Sequence, residues 1–297
     1  MKKFLILITA LVIPIACIRI ADIMFFIDWE TGYVTKGGII IRIGLSLIVI
    51  LLGYLTGIKR KRTLKDFEID IESTNSSIER SSVPAGIFFF IAGFATASAA
   101  VGMIFNLISS GEINNVLMSK QELVKIGSSR LYYILLLTSI VLSVFVAFWH
   151  MLVGSWYFRG EGHFAGGRFI SIFVAVWYYI RVINDFIRFP INPSNTTSLA
   201  LIFSVLILSL FYTKFTKVVS VDFPMNEDPP LFCFGLAAFL WVAGIGAPTA
   251  VIIFSHGEPM QLFIIAADFF AAVAALFSLF ARVPAESVVQ YNHYKEN

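Results

Sequence analysis

Charge is scarce in this chain. Asp, Glu, Lys and Arg make up 14% of its 297 residues, where a soluble domain carries about 25%. That shortage excludes an ordinary water-soluble fold, and the apolar remainder excludes disorder. Cysteine is scarcer: Cys17 and Cys233 both lie inside apolar runs, which leaves neither a disulfide scaffold nor a paired Cys-x-x-Cys motif. Histidine is thinly spread. His150 and His163 fall toward one membrane face, His256 toward the other and His293 in the tail, so they cannot build one metal site. Neither a Gly-x-x-x-x-Gly-Lys-Ser/Thr loop nor a His-Glu-x-x-His motif occurs. The formal net charge of +3 is too small to imply nucleic-acid binding. No catalytic residue, metal site or cofactor is therefore expected, and enzyme chemistry is disfavoured.

What is abundant is apolar. Hydrophobic residues make up 58% of the chain and the mean hydropathy is +0.84. A membrane-spanning helix needs about 20 mostly apolar residues. Eight windows qualify: Phe4–Phe26, Ile39–Ile58, Pro84–Ile108, Leu131–Phe158, Phe169–Ile187, Leu199–Phe215, Leu231–Phe254 and Gln261–Ala281. These runs are continuous, whereas a transmembrane strand alternates polar and apolar over about 10 residues. The expectation is an all-α polytopic membrane bundle of about eight helices, a single integral domain over residues 1–297. Only Ser255–Met260 separates the last two windows, which predicts a tight helical hairpin. Met1-Lys2-Lys3 before an apolar run resembles a signal peptide, and Ala16-Cys17 a lipoprotein cleavage point. Pro14, Arg19 and Asp22 inside the same run argue for an uncleaved first helix instead.

Lys and Arg placement sets the expected orientation. With the N-terminus cytoplasmic, the inner segments hold 14 of them and the outer segments 5. The protein is thus expected in the cell membrane with both termini cytoplasmic. The 59–83 segment reads as a cytoplasmic loop, basic over Lys59–Lys65, acidic over Asp66–Glu72 and then rich in Ser and Asn. Residues 282–297 read as a cytoplasmic tail. Small residues recur along single helix faces in Gly53-x-x-x-Gly57, Gly93-x-x-x-Ala97, Ser98-x-x-x-Gly102 and Ala267-x-x-x-Ala271-x-x-x-Ala275. Such faces serve close packing within the bundle or association with another membrane protein or a second copy. Pro14 and Pro248 are the prolines well inside spans, and Gly244-Ile245-Gly246-Ala247-Pro248 predicts a bend or unwound turn in the seventh helix.

Charges inside spans cost about 2.5–3.5 kcal/mol each on insertion scales and persist when paired, snorkelled or used. Here they are Arg19, Asp22, Arg42, Arg181, Asp185 and Asp268. Counting rise per residue places all six in the half of the bilayer away from the termini. Arg19 and Asp22 stand at i, i+3, and Arg181 and Asp185 at i, i+4, so each pair can meet on one helix face. Either these pairs neutralise each other locally, or the six line one outward-facing polar cavity rimmed by Asp28 and Glu30. The segment Asp28-Trp29-Glu30-Thr31-Gly32-Tyr33 reads as a tight turn at that face.

Ile18-Arg19-Ile20-Ala21-Asp22 resembles Ile180-Arg181-Val182-Ile183-Asn184-Asp185, and further matches link the second window with the sixth. They allow a parallel 4 + 4 internal repeat with halves 1–168 and 169–297. The Asp28-to-Tyr33 turn, together with Val176-Trp177-Tyr178-Tyr179-Ile180-Arg181, resembles uncharacterised polytopic membrane proteins of anaerobic Gram-positive bacteria. That resemblance implies an eight-span membrane layout and carries no activity. Two function classes fit these expectations better than a third, a membrane-embedded enzyme acting on lipid, for which converging His, Asp or Ser groups with a polar entry are not evident. One is a small-molecule or ion transporter, or an accessory membrane subunit of one, with the polar cavity as its site. The other is a membrane sensor or interaction protein that contacts its partner through the 59–83 segment.

Overall fold

The computed structural model describes residues 1–27, 34–71, 82–109, 111, 130–159, 167–188, 196–220, 228–254 and 259–283. Eight of its helices are long and apolar enough to cross a membrane. Among the described residues there is no strand beyond a single antiparallel bridge, Ile27 to Val34. This is the all-α polytopic bundle that the composition demands: in lipid, every backbone polar group must find its partner inside its own segment.

The ends of the spans sort into two faces. At one face Lys59 Nζ sits 3.9 Å from the Phe4 ring centroid, and Arg60 Nη2 donates to the Arg282 carbonyl at 3.3 Å. The first span thus starts where the second and eighth end. We call this face proximal and the opposite one distal. At the distal face, Thr35 N donates to the Phe26 carbonyl at 3.0 Å and closes the hairpin of the first two spans. Asp28-to-Tyr33, within that hairpin, lies outside the described residues, as do Ser255–Glu258 between the last two spans.

The seventh span is the axis of the bundle, with 72% of its central window buried against 22% for the first and the second. The first, second, sixth and eighth spans all pack on it, the third packs between the fourth and the eighth, and the fifth lies between the fourth and the sixth. The two halves of the chain are therefore interleaved. Small residues make the closest approaches. A Cβ on Gly53 would stand 2.9 Å from the Cys233 carbonyl of the seventh span, and one on Gly93 would stand 2.9 Å from the Ala147 carbonyl of the fourth. Ala267, Ala271 and Ala275 are buried in the same way. The chain's own helices fill these faces.

Two helices depart from the sequence expectation and a third meets it, each in ways its residues explain. The first span breaks at Leu11 into Lys2–Ala10 and Val12–Phe26. Pro14 has no N–H to offer the Ala10 carbonyl and its ring crowds that oxygen, and Leu11 N turns to Ile8 O at 3.0 Å. The second helix does not stop at Ile58. It runs from Lys36 to Ile71, so the basic and early acidic part of the 59–83 segment is helix rather than loop. Lys, Arg, Leu and Glu are strong helix formers, no Gly or Pro interrupts them, and Arg62 precedes Asp66 at i, i+4. The seventh span has the bend expected from its glycines and Pro248. Val242–Gly246 is a π turn between Asp228–Trp241 and Ala247–Phe254.

At the proximal half the interior is aromatic. Phe89 stacks on Tyr157 and on Phe215, each at 5.5 Å between ring centroids, and Tyr178 stacks on Tyr212 at 4.9 Å. Several polar atoms among these rings are paired. Trp149 Nε1 donates to Ser171 Oγ at 2.9 Å, Tyr212 Oη donates to the Ala271 carbonyl at 3.0 Å, and His150 Nε2 lies 3.2 Å from Tyr212 Oη. His150 thus joins the fourth and sixth spans. Large apolar side chains such as Leu7, Phe25, Ile40 and Val101 face outward, which suits a lipid solvent.

Candidate functional site

Arg181 sits late in the fifth span (Gly167–Arg188) and Asp268 within the eighth (Pro259–Ala281). The two side chains form a two-pronged pair: Arg181 Nη1 donates to Asp268 Oδ1 at 2.5 Å and Nη2 donates to Oδ2 at 2.7 Å. Both residues are buried. This fork-to-fork geometry is the strongest form of an Arg–carboxylate contact. The guanidinium also lies 4.7 Å from the Trp177 ring centroid, and Trp177 is fixed by its own Nε1 donating to the Ser139 carbonyl at 3.0 Å. Three helices therefore hold one charge in place.

The pair borders a cavity of about 90 Å³ in the distal half of the bundle. Asn106, Tyr132, Ser139, Asn184, Asp185 and Ser204 supply polar groups to its wall, and Gly246 of the π turn supplies backbone. Two carboxylates face one guanidinium there, and the charge of Asp185 acts on Arg181 as well. Asn184 is buried, and its Oδ1 has no hydrogen-bond partner among the described residues. Such a volume holds a few waters or a solute of a few heavy atoms. Single π turns inside α-helices recur at functional sites, because the extra residue frees a carbonyl and re-aims the side chains.

The remaining intramembrane charges form a second cluster. Arg19 Nη1 pairs with Asp22 Oδ2, and Arg42 Nε donates to the same oxygen at 2.8 Å. Arg19 Nε donates to Thr249 Oγ1 at 2.9 Å, which ties the first span to the distal end of the seventh. Arg19 and Asp22 are 1% and 0% exposed and Arg42 is 10% exposed. Gly38 stands close enough that its Cβ would lie 3.1 Å from Asp22 Oδ1, so a bare backbone is needed beside that carboxylate.

The six charges read from the sequence thus fall into two groups of three. Arg181, Asp185 and Asp268 border the polar cavity; Arg19, Asp22 and Arg42 belong to a separate cluster, with Arg19 and Arg42 lining a different depression. The i, i+4 spacing of Arg181 and Asp185 pointed to a pair on one helix, yet the fork of Arg181 is filled by Asp268 from another. Sequence reasoning passed over Thr249, Asn184, Ser139 and Ser204, because an isolated Ser, Thr or Asn in an apolar run carries no spacing signal. Asp28 and Glu30, expected at the rim, lie outside the described residues. Among the described residues no three His, Cys, Asp or Glu side chains stand together as metal ligands. No family model matches the chain, and no curated protein or solved structure does either.

Proposed function

We propose that this integral membrane protein is a small-molecule or ion transporter, or an accessory membrane subunit of one, and that the Arg181–Asp268 cavity is where the solute rests. The observation that carries the reading is a polar, charge-lined cavity inside a lipid-facing bundle, bounded by a π turn. Buried charges are expensive in a membrane, and a purely structural pair does not require Asn184, Asp185 and Ser204 around it. Two carboxylates at its wall, Asp185 and Asp268, favour a small cation or a protonated amine. The asymmetry of Lys and Arg supports a cytoplasmic proximal face, which would make this a site near the outer surface of the cell membrane.

The test is binding. Purified protein is heated with a panel of monovalent cations and small amines, and ligands that occupy the native state raise the midpoint by mass action. Asp185→Asn and Asn184→Ala, which alter the cavity wall and leave the Arg181–Asp268 fork in place, should weaken that rise. A rise that both variants leave intact would place the solute elsewhere, and a flat response across the panel would contradict a cation site.

A further inference from the structure

A second, larger depression lies on the lipid-facing side of the seventh span. Its volume is about 500 Å³, and it is walled by the second span from Ile39 to Ile50 and the sixth from Leu199 to Leu210. Its floor runs along the seventh span from Cys233 through Ala237 and Trp241 to Ile245. That floor covers about 18 Å at 1.5 Å per residue, a little more than one leaflet of a hydrocarbon core about 30 Å thick. The lining is almost wholly apolar. The exceptions concentrate at the distal end, where Arg19, Arg42 and Ser46 stand. The groove does not share a lining residue with the Arg181–Asp268 cavity.

The charged end is not balanced. Two guanidiniums face one carboxylate in the Arg19–Asp22–Arg42 cluster. Arg42 uses Nε on Asp22, while its buried Nη1 and Nη2 have no hydrogen-bond partner among the described residues, and neither do Arg19 Nη2 and Asp22 Oδ1. A guanidinium edge with both terminal nitrogens unpartnered matches a phosphate or carboxylate, which accepts two parallel bonds. Below it lies an apolar trough of one-leaflet depth. We propose that this groove is a binding site for an anionic lipid of the distal leaflet, with an acyl chain laid along Ala237 and Phe234 and the anionic headgroup held by Arg42. Charge complementarity selects the headgroup, and the length and apolar lining of the trough select the chain. A free anion would satisfy Arg42 and leave the trough without an occupant.

The experiment exposes the full-length detergent-purified chain to equimolar phosphatidylglycerol and phosphatidylcholine carrying the same acyl chains. Native mass spectrometry then reads how much of each lipid is retained. Both lipids offer Arg42 a phosphate, but the choline cation of phosphatidylcholine meets the excess positive charge of the cluster, so phosphatidylglycerol should be kept about tenfold over it. Arg42→Gln should bring the ratio near one. Leu47→Trp, placed on an outward-facing wall residue of the groove, should lower retention of both lipids. Inorganic phosphate at millimolar concentration should displace neither. Equal retention by the unaltered protein overturns the proposal, as does a preference that survives Arg42→Gln. Displacement of the lipid by phosphate alone would show a free-anion site instead, and unchanged retention in Leu47→Trp would put the chain outside the groove. If Arg42→Gln yields no folded protein, the lipid ratio of the unaltered chain and the Leu47→Trp result decide.

Discussion

Arg181 and Asp268 are 87 residues apart in sequence and meet only because the fifth and eighth spans bring them together. Removing one partner of a buried pair leaves an uncompensated charge, which costs about 3–5 kcal/mol. Arg181→Leu and Asp268→Leu should each lower the yield of monodisperse, detergent-stable protein by an order of magnitude or more. The double variant should recover much of that loss, and size-exclusion profiles of the four proteins check it. Strictly additive losses would mean the fork contributes nothing. Thr249→Val, which keeps shape and removes the acceptor of Arg19 Nε, should lower stability by about 1–3 kcal/mol, seen as a drop in the thermal midpoint. At this scale the sequence was half legible. The identity of the buried charges and their shared depth could be read from their position in apolar runs. Their partners could not, because spacing along one helix reports only neighbours on that helix and says nothing of Asp268 or Thr249 across the bundle.

Glycines that look alike in a helix have opposite roles once packing is known. Gly53 and Gly93 each stand where a Cβ would meet a backbone carbonyl at 2.9 Å, while a Cβ on Gly44 would meet nothing within 4 Å. Gly53→Ala and Gly93→Ala should therefore destabilise the protein by about 1–3 kcal/mol through overpacking. Gly44→Ala should be neutral or stabilising by up to about 1 kcal/mol through helix propensity. Thermal midpoints of the three variants in one detergent separate the two classes. Gly53 and Gly57 could be read as a close-approach face from their spacing, but Cys233 and Pro229 opposite them could not. Existence and order of the spans were plain from hydropathy. The bend ahead of Pro248 was legible from its glycines and proline, whereas the break at Leu11 was not, although Pro14 accounts for it. The helical stretch after Ile58 is hidden in the sequence by its polarity, which resembles that of a loop, although Lys59–Ile71 contains no residue that would end a helix.

At the scale of the whole chain, the positive charge of the proximal face and the shared depth of the buried charges fit one arrangement: eight spans, the first starting at the face where the eighth ends. Topology reporters fused after Lys61 and at the C-terminus should read cytoplasmic, and one fused after Lys120 should read external. A cytoplasmic signal at Lys120 would reverse or break the threading. The cavity beside Arg181 is the central claim, and its opening can be tested with one cysteine. In a chain carrying Cys17→Ser and Cys233→Ala, Ser139→Cys lines the cavity, whereas Ser143→Cys, one turn toward the proximal face, is fully buried and does not line it. Sealed vesicles of both orientations are treated with a membrane-impermeant maleimide. The account predicts labelling of Ser139→Cys from the distal side only, with Ser143→Cys unlabelled from either side. Labelling of Ser139→Cys from the proximal side, or no labelling from the distal one, would contradict it.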